Sequence, residues 1–179
     1  MHIENTNLAG LKIISPAVFK DNRGYFFESY NKKKWTEIAD KEFVQDNESM
    51  SNKGILRGLH FQKPPYAQAK LVRVIRGSVL DVVVDLRRNS PTYGQHSKII
   101  LSEENKKQMY VPEGFAHGFL VLENYTIFSY KCTAFYHKPA EDAILWNDPT
   151  LAIEWGIANP ILSEKDQIAK KFDNFVSPF

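Results

Sequence analysis

The run Gly54-Ile55-Leu56-Arg57-Gly58-Leu59-His60-Phe61-Gln62 sets an arginine and a histidine three residues apart in an otherwise apolar stretch. Strand interiors rarely carry charge, and an imidazole with a cation nearby is a candidate for proton transfer. The plain alternative is a core histidine satisfied by a backbone carbonyl. Lys70 opens another apolar strand, where an inward ammonium is costly unless an anion meets it. A lysine pointing to solvent from the strand's edge is the other reading. On an extended strand Tyr130 shares a face with Phe128, Cys132, Ala134 and Tyr136, presenting two phenols among apolar neighbours. Both could be core tyrosines bonded to backbone; for Tyr136 that reading and a substrate-lining one stay open. Asp166 stands three residues after Ser163, so the residues alone favour a helix-capping carboxylate.

These side chains need elements to hold them, and alternation dominates the chain. Lys70–Ile75, the turn Arg76-Gly77-Ser78 and Val79–Leu86 read as strand, tight turn, strand. Residues 98–101, 108–111, 118–122 and 125–136 supply further strands separated by polar or turn residues. Ala17–Lys20 and Tyr25–Tyr30 flank Asp21-Asn22-Arg23-Gly24, a hairpin signal. Helical pattern is sparse. Residues 31–43 place Trp35, Ile38 and Ala39 on one side of a surface helix. A second short helix is expected from Ser163 to about Phe172. Many short strands with closely spaced turns predict an all-β antiparallel sandwich or barrel with peripheral helices.

Length and composition narrow the field. A chain of 179 residues is expected to form one domain with a full core. The net charge of +2 is too small for a nucleic-acid groove, although local basic clusters could hold a phosphorylated ligand. Cys132 is the single cysteine, so it has no intrachain disulfide partner, which fits a reducing cytoplasm. Its Phe/Tyr-rich surroundings favour a small buried apolar role over a nucleophile. Met1–Leu11 lacks a signal-like apolar core, and no apolar stretch reaches membrane-spanning length. The expectation is a soluble intracellular protein without nucleic-acid or membrane partners.

Several blocks together carry a resemblance. They are Arg57-Gly58-Leu59-His60-Phe61-Gln62, Gln68-Ala69-Lys70-Leu71-Val72-Arg73-Val74, Val111-Pro112-Glu113-Gly114-Phe115-Ala116-His117-Gly118-Phe119 and Tyr130-Lys131-Cys132-Thr133. Gln45-Asp46-Asn47-Glu48-Ser49, Trp146-Asn147-Asp148-Pro149 and Leu162-Ser163-Glu164-Lys165-Asp166 continue it in order. The chain resembles the dTDP-4-dehydrorhamnose 3,5-epimerases over nearly its whole length. The resemblance implies a jelly-roll (cupin) fold, which agrees with the strand reading. It also implies a dTDP-4-keto-6-deoxyhexose substrate, a place in dTDP-L-rhamnose biosynthesis for polysaccharide, and no cofactor or metal.

Epimerising beside a ketone requires a base on one face, an acid on the other, and a cation or donor at the developing oxyanion. No redox cofactor is needed, and no Gly-rich dinucleotide fingerprint is present. By resemblance His60 is the base, Asp166 orients it, Tyr130 is the acid and Lys70 assists at the ketone oxygen. The resemblance thus reverses the capping reading of Asp166. It further implies that Arg23, Glu28, Gln45, Asn47, Arg57, Glu141 and Lys165 contact the thymidine diphosphate portion, and it adds His117 and Tyr136 to the substrate-binding set. An arginine's planar fork suits a diphosphate; each charged residue could equally be a solvated surface group. Arg23 and Glu28 would come from N-terminal strands, about residues 15–30, exchanged with a second subunit, which implies a homodimer. One departure is visible: Gly156 follows Trp155 where the family usually has proline.

Two other classes compete. A metal-dependent cupin wants three or more ligands, commonly histidines plus a glutamate. Here glutamine stands at Gln62 where a second ligand histidine would sit, leaving His60 and His117 with an amide. His2, His96 and His137 lie in or beside polar segments. A non-catalytic sugar-binding sandwich gives no reason for gathering His60, Lys70, Tyr130 and a carboxylate. Within the family, a single-centre epimerase acting at carbon 3 or carbon 5 alone is the remaining alternative.

Overall fold

Alternating apolar residues fold here into two antiparallel sheets packed face to face, an all-β jelly roll with little helix. A computed structural model describes residues 1–179 apart from Glu37, Ala39 and Asp40. The strands are β1 (His2–Asn5), β2 (Lys12–Ser15), β3 (Phe19–Asp21), β4 (Gly24–Phe26), β5 (Gln45–Ser51), β6 (Leu56–Gln62) and β7 (Lys70–Arg76). They continue as β8 (Ser78–Asp85), β9 (His96–Ser102), β10 (Gln108–Val111), β11 (Phe115–Val121), β12 (Thr126–Cys132) and β13 (Glu141–Ala143). One sheet has the order β1-β2-β10-β7-β12-β5 and the other β13-β6-β11-β8-β9, while β3 and β4 form a separate hairpin.

The core between the sheets explains the alternation. Val72 and Val74 of β7 and Phe128 of β12 meet Val79 and Val83 of β8 and Phe115 and Phe119 of β11. Phe119 and Phe128 stack across the gap with centroids 4.1 Å apart. Burying each such side chain contributes roughly 1.5–3 kcal/mol. The near-continuous apolar run of β8 has a second cause. Its Val82 and Val84 face outward into another core, closed by Leu151, Ile153, Trp155 and Phe175 of the C-terminal segment.

Several expectations are corrected. The turn Arg76-Gly77-Ser78 does not close a hairpin: β7 and β8 lie in different sheets, so the turn carries the chain across the sandwich. The strand expected to run to Tyr136 ends at Cys132. The first helix is only α1 (Lys32–Trp35), capped by the Asn31 side chain, and Ala39 lies outside the described residues. The second is α2 (Glu164–Gln167), with a separate 3-10 turn at Phe172–Asn174. Strands β1, β2, β5 and β13 lack strong alternation and escape a sequence reading. Gly156 has φ +75, a conformation closed to proline, so the departure from the family pattern is a change of loop backbone.

One irregularity positions the chemistry. On a regular strand Arg57 and His60, three apart, would face opposite sides. In β6 they do not, because the two residues between Arg57 and His60 oppose only Gly118 between His117 and Phe119, a β-bulge. The bulge turns both side chains inward while Leu56, Leu59 and Phe61 pack outside. Gly58 permits it: its φ is +136, and a Cβ there would stand 2.5 Å from the Gly118 Cα. Gly58→Ala is therefore expected to destabilise the fold by roughly 2–3 kcal/mol, a strained residue plus a backbone clash. A melting temperature unchanged from wild type would show that the bulge tolerates a side chain.

Candidate active site

The two sheets present polar side chains to one another at one end of the sandwich. His60 points inward from β6, and Asp166 reaches it from α2. His60 Nε2 and Asp166 Oδ1 are 2.5 Å apart, with the carboxylate 2% exposed and the imidazole 24% exposed. The Ser163 hydroxyl donates to the other carboxylate oxygen at 2.8 Å. Asp166 thus takes part in the helix cap and also contacts the histidine. Burial pushes the Asp166 carboxyl upward, but the His60 and Ser163 hydrogen bonds outweigh it and hold the group below its ordinary value. The carboxylate therefore stays charged beside the imidazole. An imidazole gripped through Nε2 offers Nδ1 as a general base and is stabilised when protonated.

Tyr130 comes from the other sheet, on the inner face of β12 with Phe128 and Cys132. Burial, then Cys132, raises its pKa against the opposing pull of Arg57, so the phenol remains a proton donor. Lys70 enters at the start of β7, its ammonium 5.8 Å from the Tyr130 ring centroid. Burial lowers its pKa, countered by attraction to Cys132, Asp81 and Glu141. These groups share a cavity of about 400 Å³ with Arg57, His117, Glu141 and Lys165. The Arg57 guanidinium donates to the Ser51 hydroxyl at 3.0 Å and 3.3 Å, which aims it along the wall.

An adjoining cavity of about 220 Å³ adds Gln45, Asn47 and Tyr136 to His60, Lys70 and Tyr130. Tyr136 is not a core residue. It is 53% exposed, and its hydroxyl donates to Glu141 Oε2 at 3.0 Å. Glu141 also pairs with Lys165 at 2.6 Å, joining β13 to α2 at the rim. Burial opposes ionisation of Glu141, but Lys165 and the Tyr136 hydroxyl hold its pKa down. Gln45 donates to Asn47 Oδ1 at 3.0 Å, and Asn47 lies 3.7 Å from the Cys132 sulfur. Within one chain Arg23 and Glu28 stand apart from both cavities. Arg23 pairs with Asp21 at 2.5 Å, and Glu28 with Lys34 at 2.5 Å and Asn31 at 2.6 Å.

The sequence reading missed Asp81. Fully buried on β8, it accepts from His117 Nε2 at 2.8 Å, a second histidine–carboxylate pair beside the first. Burial raises the Asp81 pKa, opposed by His117 and Lys70. Its signal was available: a lone carboxylate in Val79-Leu80-Asp81-Val82-Val83-Val84 is as anomalous as Lys70 in its own strand. Both inward histidines thus carry carboxylate partners. Among the described residues no group of three or more His, Cys, Asp or Glu side chains is placed to hold a metal ion. His2 and His96 are the first residues of β1 and β9, beside polar segments as expected.

The dTDP-4-dehydrorhamnose 3,5-epimerase family model matches residues 5–174. The chain belongs to this family. It is 51% identical over 174 residues to the dTDP-4-dehydrorhamnose 3,5-epimerase of Shigella flexneri, covering 96% of each. The crystal structure of the 3,5-epimerase of Legionella pneumophila in complex with dTDP-4-keto-L-rhamnose superposes with TM-score 0.93 at 48% identity, covering 98% of this chain and 94% of that one. A 3'-monoepimerase from Streptomyces bikiniensis in complex with dTDP-quinovose superposes with TM-score 0.89 at 30% identity, covering 94% of this chain and 86% of that one.

The Asp166–His60 contact yields a direct test. Asp166→Asn keeps the volume but removes the charge and allows the amide to hold the wrong tautomer. Turnover is expected to fall roughly 10²- to 10⁴-fold, as when a triad carboxylate is neutralised. Substrate affinity should change little. A fall in affinity with turnover intact would make Asp166 a structural cap alone.

Proposed function

We propose that this chain is a cofactor-independent isomerase that converts dTDP-4-dehydro-6-deoxy-D-glucose to dTDP-4-dehydro-L-rhamnose, a step toward dTDP-L-rhamnose for polysaccharide. The observation that carries the reading is the placement of His60, bonded to Asp166 of α2, on one sheet and of Tyr130 on the other, facing one cavity. His60 removes the proton from the carbon beside the 4-keto group. The C–H electron pair moves into the carbon–carbon bond and the carbonyl pair onto the C4 oxygen, where Lys70 steadies the enolate. Tyr130 returns a proton to the opposite face as the enolate collapses to the ketone. The phenolate then regains a proton from water, and the imidazolium loses one. The same sequence at carbons 3 and 5 gives the double inversion. Binding energy for the nucleotide comes from Arg57, Lys165, Glu141, His117, Asn47, Gln45 and Tyr136 around the two cavities, so none of the reacting groups has to hold the substrate alone.

Arg23 and Glu28 act in the neighbouring subunit of a homodimer. Supporting this, hairpin β3–β4 carries Phe19, Tyr25 and Phe26 at 65%, 56% and 69% exposed, an apolar surface that a second copy would cover. The rest of the chain, in this reading, is a single domain working in the cytoplasm, the compartment that a lone buried Cys132 thiol suits. Among the described residues no helix is long and apolar enough to cross a membrane. Light scattering should give the mass of a dimer; a monomer at micromolar concentration would remove the exchange.

Proton NMR of the product formed in heavy water tests the activity. Deuterium at both carbons 3 and 5 is expected, whereas label at one carbon would make this a single-centre enzyme like the Streptomyces bikiniensis relative. Tyr130→Phe separates the two faces. Product formation should fall by roughly 10²-fold or more for a lost general acid, while the base still washes deuterium into unreacted substrate. Loss of wash-in together with inversion would assign Tyr130 to binding.

A further inference from the structure

Beyond Cys132 a last bond runs from the Thr133 N–H to the Ala69 carbonyl, and residues 134–137 then lie on no strand. Glutamine side chains take the place of that ladder. Gln68 Nε2 donates to the Ala134 carbonyl at 2.7 Å. Gln62, 5% exposed on β6, donates to the Phe135 carbonyl at 3.3 Å and the Tyr66 carbonyl at 2.8 Å. Its Oε1 accepts the His137 N–H at 2.7 Å. Gln45 Oε1 accepts the Tyr136 N–H at 2.8 Å. The His137 ring stacks on Tyr66 at 3.7 Å with 6° between planes, pinning the far end of the segment.

We infer that Gln62 and Gln68 are positioning residues for nucleotide recognition, forming with Gln45 an amide clamp that fixes the backbone around Tyr136. The inference rests on the reading of Tyr136 as a substrate-binding residue. Gln62 uses both amide hydrogens and its carbonyl on this segment and Tyr66, so its polar atoms are committed to backbone rather than to ligand. A buried amide so engaged is costly to lose, because its former partners are left unpaired. The clamp ties the segment to β5, to β6 and to the residues preceding β7, so it spans both sheets of the sandwich. The exposed phenol ring is thereby held at the cavity mouth although no strand holds its backbone. Its hydroxyl contact with Glu141 then sets the ring's direction, and Lys165 completes the rim.

The test is Gln62→Leu, which keeps the approximate volume and removes the amide. The KM for the dTDP-4-keto sugar and the Kd for dTDP should both rise about five- to tenfold, the worth of one to two net hydrogen bonds. The kcat should stay within about twofold, because His60 and Tyr130 are anchored elsewhere. Combined with Tyr136→Ala, the losses should not multiply, since both changes remove the same ring from the mouth. A fall in kcat with KM unchanged, or fully multiplicative losses, overturns the inference. If Tyr136→Ala alone leaves dTDP affinity intact, the binding role of Tyr136 fails. The clamp is then judged by hydrogen exchange at the His137 amide, where unaltered protection in Gln62→Leu overturns it. Should Gln62→Leu not fold, Gln68→Leu, which loses only the bond to Ala134, must show a smaller shift of the same kind.

Discussion

Ionisable groups placed between two sheets must find partners or lose their charge, and this constraint organises the interior. Leaving one such group unpaired costs more than pairing it gains. His60 therefore meets Asp166, His117 meets Asp81, and Arg57 rests on Ser51. Lys70 is the exception. Among the described residues it has the Tyr130 ring at 5.8 Å and diffuse attraction to Cys132, Asp81 and Glu141, and burial lowers its pKa. An ammonium so placed gains most when negative charge develops near it, which an enolate oxygen would supply. Among the described residues the second Asp81 carboxylate oxygen is buried without a hydrogen-bond partner. Interactions that strengthen only as charge appears lower a barrier without tightening ground-state binding.

The elements differ in how much of this their residues announce. Strands β7, β8, β11 and β12 carry apolar residues on one or both faces, so their period is written plainly. A polar intruder in them, Lys70 or Asp81, stands out against it. Which sheet each strand joins is not written, because the Arg76-Gly77-Ser78 turn looks like a hairpin turn and acts as a sheet-to-sheet corner. The inward orientation of Arg57 together with His60 is invisible too. A two-residue period forbids it, and only the extra residue at the bulge restores it. Sequence spacing marks the pair as unusual; backbone irregularity makes it a pair.

Asp166 shows how a local rule and a tertiary role can share one residue. Ser163 and Asp166 satisfy the start of α2 through the N-cap and N3 positions. A four-residue helix has little intrinsic stability, so it persists through what it packs against. What α2 meets is β6 and β13: His60 through Asp166, and Glu141 through Lys165. Forming the helix and orienting the imidazole are thus one event. Composition and spacing reveal the cap alone, because the second partner lies 106 residues away in the chain. Among the described residues Arg23 and Glu28 pair with neighbours in sequence, so nothing within one chain marks either as a site residue.

The division of labour between backbone types follows. Groups that would transfer protons sit on paired strands or are bonded to one, where the ladder holds them to a fraction of an ångström. Of the groups that would recognise the nucleotide, Arg57, His117, Gln45 and Asn47 share those strands, whereas Glu141, Lys165 and Tyr136 sit at the margin, on β13, α2 and the segment after Cys132. Irregular backbone needs substitutes for the ladder, and here they are glutamine amides, each able to give and accept. This accounts for Gln62 in a position where a metal-binding cupin would carry a histidine. On the same inward-facing strand position, an imidazole would supply a ligand; the amide instead supplies two donors and an acceptor to a neighbouring peptide.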